Sequence, residues 1–300
     1  MYTIIGASGN TGKVVAGKLL AHGEKVRVVG RDASRLQHLV QMGAEAFVGS
    51  VSDAAALTKA FTGAKGVYLM IPPNPAIPDV RGDQERVSDA LVAAVQNAGV
   101  EHAVVLSSIG ADKPDKTGPV VGLHNLEQKL NGVARLNAVY LRAGYFMENL
   151  LPQAMVIKNF GVMGGPLRSD LKVAMIATQD IGAAAADALL KLAFTGKQAH
   201  ELLGQRDLTY QEVASIVGKA IGQLGVTYMQ LPPAQLKPAL MQMGMSSSMA
   251  DLILEMAEAL NSRYMAALEP RSAQNTTPTS IETFVAEQIV PRFTEKAAGA

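Results

Sequence analysis

The stretch Gly6-Ala7-Ser8-Gly9-Asn10-Thr11-Gly12 follows the apolar run Tyr2-Thr3-Ile4-Ile5 and leads into a helical pattern that starts at Val14-Val15. A strand that turns at once into a helix needs a turn residue free of Cβ clashes, a point of close backbone approach to a ligand, and a point of close packing between helix and strand. Gly6, Gly9 and Gly12 fill those places, and Ser8, Asn10 and Thr11 add side-chain donors. The helix turns its unpaired N–H groups and the positive end of its dipole toward the same point, which suits a pyrophosphate. Glycine triplets occur in many loops. The setting is what makes this one a dinucleotide cradle: a strand before it, a helix after it and a second strand within about 30 residues.

Working outward, strand-like segments at 3–5, 25–29, 45–48, 66–71, 103–107 and 138–141 alternate with helical patterns at 13–22, 33–42, 54–62, 81–98 and 122–132. That alternation predicts an α/β fold, a Rossmann-like doubly wound parallel sheet with right-handed crossovers. Ligands of such sheets lie beyond the carboxyl ends of the strands. Val51, Ile71-Pro72 and Ser107-Ser108 therefore fall where a ligand belongs. The segment Pro72-Pro73-Asn74-Pro75-Ala76-Ile77-Pro78 reads as a stiff rim beside it.

Past residue 150 the rhythm changes. The expected division is a dinucleotide-binding domain over 1–150, with later segments free to return to it, and a smaller C-terminal α/β substrate-side domain over 151–300. Thr178-Gln179-Asp180 reads as the N-cap region of an Ala-rich helix running to about Leu192, and Thr209-Tyr210-Gln211-Glu212 and Thr279-Ser280-Ile281-Glu282 each fit a capping box. Half of the 14 methionines fall between Met229 and Met265. They suit the lining of a pocket for a flat hydrophobic substrate, and equally helix packing or a subunit interface.

Composition narrows the classes of function. The 27 Lys and Arg balance 26 Asp and Glu, so no overall field draws the chain to nucleic acid or an anionic membrane. The absence of cysteine removes thiol catalysis and Cys-ligated metal sites, and the histidines at 22, 38, 102, 124 and 200 lack metal-ligand spacing. No metal is expected. With a strand at residue 2 and no apolar run of about 18 residues, the expectation is a soluble cytoplasmic protein. Its expected partners are a small hydrophobic substrate, a second copy of itself as a homodimer, or a regulatory protein.

The end of the second strand speaks to the choice of dinucleotide. NAD-preferring folds place there an acid that binds the ribose hydroxyls; here Gly30 is followed by Arg31. A guanidinium pairs with a 2′-phosphate, and Arg35, about one turn on, joins the clamp. NADP(H) is expected over NAD(H). Asp32 is either the NAD-type acid displaced by a residue or the N-cap of the next helix. Ser50, Val51 and Asp53 are placed for the adenine edge, although Asp53 equally fits a helix cap.

The cradle, Arg31 with Arg35, Val67-Tyr68-Leu69-Met70-Ile71-Pro72, Ser107-Ser108, His124 with Glu127, the stretch Leu141-Arg142-Ala143-Gly144-Tyr145-Phe146-Met147-Glu148-Asn149 and Thr178-Gln179-Asp180-Ile181-Gly182 together resemble the NmrA-like family of atypical short-chain dehydrogenase/reductases. Within it the bacterial NAD(P)H:quinone oxidoreductase type is nearest, since it shares the His and the Glu three residues later. The resemblance implies an NADPH-dependent oxidoreductase that passes hydride to a quinone or a similar flat conjugated electrophile. Ordinary short-chain dehydrogenases use Tyr-x-x-x-Lys on that helix, whereas His124 and Gln128 stand in those places here. Lys129, at i+5, faces about 140° away.

The alcohol-oxidising machinery is therefore missing. The reading that follows makes His124 the proton donor, with Ser108 or Ser107 orienting substrate or nicotinamide and Glu127 tuning His124. Tyr145 and Phe146 wall the nicotinamide end, or serve as core aromatics. Two other readings stand: a non-catalytic NAD(P)-binding redox sensor acting through a protein partner, and a reductase of aromatic ethers or imine-like substrates.

Overall fold

β1 (Tyr2–Ile5) is buried along its whole length, as a strand flanked on both edges and covered on both faces must be. The computed structural model describes residues 1–294, and from β1 the chain follows the expected alternation. It runs α1 (Asn10–Ala21), β2 (Val26–Gly30), α2 (Gln37–Gln41), β3 (Glu45–Val48), α3 (Ala54–Phe61), β4 (Gly66–Leu69), α4 (Val80–Asn97), β5 (His102–Ser108), α5 (Val120–Asn131) and β6 (Asn137–Ala143). It continues through β7 (Tyr145–Phe146), α6 (Gln153–Phe160), β8 (Met163–Gly165), β9 (Val173–Ile176), α7 (Thr178–Lys191), β10 (Lys197–Leu202) and β11 (Asp207–Leu208). Then come α8 (Tyr210–Ala220), β12 (Tyr228–Gln230), α9 (Pro233–Gln242), α10 (Ser247–Asn261) and a helical run that opens at Ile281–Phe284.

Seven strands form one parallel sheet in the order β10-β6-β5-β4-β1-β2-β3. The chain winds outward from β1 to β3, crosses back to β4 and then winds the other way. The reversal between β1 and β4 opens the crevice in which such sheets hold ligands. One face is covered by α1 and α7 through Val15, Leu19, Ile181 and Leu189, the other by α3, α4 and α5 through Leu57, Phe61, Leu91 and Leu126. α1 and α7 approach so closely that a Cβ on Gly182 would lie 2.6 Å from Val14 Cβ and 2.8 Å from the Thr11 carbonyl oxygen. α7 and β10 come from beyond residue 150 and complete the sheet, β10 pairing with β6 from Lys197 opposite Ala138 to Leu202 opposite Ala143.

The remaining elements gather on a separate core. A three-stranded sheet β11-β9-β7 and the pair β12-β8 enclose Tyr210, Val213 and Val217 of α8, with Phe284 of the C-terminal run. The helix expected over 33–42 is a 3-10 turn, Ser34–Leu36, followed by the short α2. Thr209 and Glu212 form the expected capping box.

The other two caps differ from expectation because partners distant in sequence compete for the same side chains. Thr178 lies inside α7, whose N-cap is Ala177, and Glu148 accepts the Thr178 N–H at 3.0 Å and its hydroxyl at 2.5 Å. Ser280, not Thr279, caps the last run by accepting the Thr283 N–H at 3.0 Å. Thr279 donates instead to Asp180 at 2.7 Å.

Candidate dinucleotide and substrate site

Gly6 takes φ +65°, and a Cβ there would lie 2.7 Å from Met70 Sδ. A Cβ on Gly12 would lie 2.3 Å from the Gly6 carbonyl oxygen, so helix and turn touch backbone to backbone. The Gly9 N–H closes the turn on Gly6 O at 2.9 Å, and no side chain caps α1. The first N–H groups of α1 are thus unclaimed by the protein, an arrangement that fits a pyrophosphate. Ser8, Gly9 and Asn10 are accessible, whereas Thr11 is buried and its hydroxyl accepts from Tyr68 at 2.9 Å.

At the end of β2, Arg31 and Arg35 are both exposed. Asp32 Oδ1 accepts the Ser34 N–H at 2.8 Å and the Ser34 hydroxyl at 2.7 Å, and these bonds hold its carboxyl below the usual range. Asp32 is therefore a turn cap. Asp53 likewise caps α3 through the Ala56 N–H at 3.0 Å, and Val51 packs against the core beneath α3.

Beyond the carboxyl ends of β4, β5 and β6 lies a cavity of about 750 Å³, large enough for a drug-sized molecule. Met70, Ile71 and Pro72 form its wall on the cradle side, and Ser107, Ser108, Tyr145 and Phe146 its floor. α10 covers it with Met249 and Met256, and Met265 follows from the next loop. Three of the clustered methionines thus line a pocket, while Met229, Met241 and Met243 are exposed.

The cover is tied down by groups that the sequence reading missed. The buried Glu201 carboxylate accepts the N–H groups of Leu268 at 2.9 Å and Glu269 at 3.0 Å. Arg271 donates to the carbonyls of Gly204 at 2.5 Å and Leu203 at 3.0 Å and pairs with Asp207. Gly110, at φ +89°, admits Met265, whose Cγ would be 2.4 Å from a Cβ there. The proline rim is anchored too, because Pro75 O accepts the Ser246 N–H at 2.8 Å.

His124 does not line this cavity, although Val120 and Leu123 on the same helix do. Its Nδ1 is 2.8 Å from the Ala111 carbonyl oxygen. A carbonyl only accepts, so Nδ1 carries the proton. Glu127 does not reach His124 either, and the expected tuning gives way to another partnership. Its carboxylate, 2% exposed, takes Arg142 Nη2 at 2.6 Å and Nε at 3.1 Å, and the Ser107 hydroxyl at 2.5 Å. Desolvating a carboxylate is costly, and the fork of a neighbouring arginine offsets that cost best.

The NmrA-like family pattern matches this chain over residues 2–285. The chain belongs to the NmrA-like family. An NAD(P)H azoreductase of Xenophilus azovorans is 30% identical over 268 residues, covering 89% of each chain. Quinone oxidoreductase 2 of Escherichia coli K12 is 28% identical over 260 residues, covering 85% of this chain and 86% of its own. An NADPH-dependent quinone oxidoreductase of Escherichia coli, solved with NADPH, superposes with a TM-score of 0.79 at 24% identity, covering 96% of this chain and 99% of the other.

In this NmrA-like chain the stretch 141–149 works as a structural junction. Arg142 holds Glu127, Gly144 lets β9 approach (a Cβ there would be 2.5 Å from Ala174 O), and Glu148 caps α7. Tyr145 and Phe146 form β7, paired with Met175 and Ile176, and both contribute to the cavity lining. Among the described residues no group of three or more His, Asp or Glu side chains could hold a metal, and no helix is long and apolar enough to cross a membrane.

Proposed function

We propose that this chain is an NAD(P)H-dependent reductase of quinones or similarly flat, conjugated electrophiles, with NADP(H) preferred to NAD(H). The observation that carries the reading is a shared residue. Met70 packs against Gly6 of the phosphate cradle and also walls the apolar cavity, so the cradle and the cavity are neighbours in one crevice. The names of the azoreductase and quinone oxidoreductase relatives support it.

In this reading residues 1–150, joined by α7 and β10, bind the dinucleotide, and the rest of the chain supplies the cover of the substrate pocket. Gly6, Ser8, Gly9, Asn10, Thr11 and Gly12 hold the pyrophosphate, and Val51 lies beneath the adenine. Arg31 and Arg35 take the 2′-phosphate, a preference supported by Gly30 in the acid's place and by Asp32 being engaged with Ser34. Ile71, Pro72, Tyr145 and Phe146 flank the nicotinamide. Bound there, the dihydronicotinamide supplies the hydride. Ser107 is locked to Glu127, and Ser108, whose hydroxyl hydrogen goes to Ile109 O, orients the substrate as a lining group without supplying it a proton. His124 acts indirectly, holding the turn that follows Ser108 through the Ala111 carbonyl.

The test is NADPH oxidation by purified protein with a panel of simple quinones, beside direct titrations of NADPH and NADH. Turnover above the uncatalysed background supports the reductase. Tight dinucleotide binding without turnover overturns it in favour of a redox sensor that works through a protein partner.

A further inference from the structure

We propose that Tyr145 is the proton donor to the reduced substrate, its hydroxyl oriented by Asn149 and Tyr210. The inference rests on the reductase reading above and adds the acid that this reading leaves open.

Elimination and geometry lead to the same residue. Of the hydroxyls on the cavity floor, Ser107 gives its proton to Glu127 at 2.5 Å and Ser108 gives its own to Ile109 O at 2.9 Å. His124 lies outside the lining, and its Nδ1 is held by Ala111 O. Tyr145 and Asn149 both line the cavity. The Tyr145 ring meets Tyr210 edge-on at 6.2 Å, Tyr210 leans on Tyr228 at 4.7 Å, and the Tyr228 hydroxyl is fixed by a bond to Leu167 O at 2.9 Å. The Tyr210 hydroxyl and the Asn149 side chain are the polar neighbours of the Tyr145 hydroxyl. Among the described residues, Tyr145 is thus the cavity-lining hydroxyl that donates to neither a carboxylate nor a main-chain carbonyl. Burial holds this phenol protonated; Tyr210 and Tyr228 are its ionisable neighbours in the core, and the charged groups of the cavity wall are Asp83, Lys172, Asp207, Arg263, Glu269 and Arg271.

The step balances. Addition of hydride turns a quinone into a hydroquinone monoanion. The O–H bond of Tyr145 then breaks as the second hydroquinone O–H forms, and the tyrosinate takes a proton back from water.

Tyr145→Phe tests the idea. It should lower kcat by about a hundredfold, the usual weight of a general acid, while the dissociation constant for a naphthoquinone, titrated without NADPH, changes less than about threefold. Ultraviolet titration of tyrosinate, wild type minus Tyr145→Phe, isolates the Tyr145 curve and needs no turnover. Asn149→Leu and, independently, Tyr210→Phe should each move that curve to higher pH, because the anion loses a donor. Undiminished kcat in Tyr145→Phe, or a loss confined to quinone affinity, overturns the proton-donor role; a curve unmoved by both neighbours overturns the orienting roles. A wild type that reduces no quinone overturns the reductase reading instead, and the donor role with it.

Discussion

Arg142 grips Glu127 with two parallel hydrogen bonds, Nη2 to Oε2 at 2.6 Å and Nε to Oε1 at 3.1 Å, directly behind the cavity floor. The pair joins α5 to β6, and Ser107 of β5 closes the group. Glu127 keeps the guanidinium above its already high ordinary pKa, so Arg142 stays charged at any working pH.

Breaking this pair from one side strands a buried charge. Arg142→Ala should cost about 3–5 kcal/mol in urea denaturation, and adding Glu127→Leu should restore most of it by removing the orphan. Should Arg142→Ala leave the midpoint unchanged, the pair is not holding the floor together.

Arg31→Ala should weaken NADPH binding by about 1.5–3 kcal/mol, the scale of a hydrogen bond to a charged group, and NADH binding far less. Calorimetric titration of both dinucleotides checks this. Equal losses for the two would remove Arg31 from the 2′-phosphate.

His124→Ala deletes a bond to the Ala111 carbonyl and no group that lines the cavity. A stability loss of about 1 kcal/mol is expected, with NADPH affinity intact and turnover reduced less than about tenfold. A drop of a hundredfold or more at unchanged stability would return His124 to the chemistry.

The buried tyrosines should make the fold sensitive to alkali. Burial raises the phenols of Tyr145, Tyr210 and Tyr228 above the ordinary value of 10.0. Above that pH the unfolded chain releases protons that the folded chain keeps, so stability falls as pH rises; below it these groups contribute no slope. Thermal melts from about pH 8 to 11 should show the fall, and Tyr210→Phe should flatten part of it. Tyr68 and Tyr140 are raised as well and account for a remainder.

What was legible in the chain was what neighbours in sequence decide. β3 has the expected bounds, and β1, β2, α3 and α4 lie within a residue or two of expectation, because apolar period and helix signals act over a few residues. The cradle was equally plain, since Gly6 and Gly12 answer to clashes with atoms a few positions away or on the adjoining strand. The errors share one cause. Spacing along α5 pairs Glu127 with the histidine three residues before it, yet its partner is Arg142, 15 residues on and brought close only by the pairing of β5 with β6. Thr178 and Thr279 fit local caps, yet Glu148 and Asp180 claim them across the fold.

The sequence alone thus determined the class of fold, the order of the elements up to β6 and the cradle, because turn sterics and hydrophobic periodicity are short-range. Tertiary structure decided which carboxylate meets which cation, that β10 closes the sheet beside β6, and that Met249, Met256 and the segment held by Glu201 roof the cavity. Those choices turn on burial. A buried charge or hydroxyl takes whatever partner the packed chain brings within reach, and sequence distance does not limit that reach.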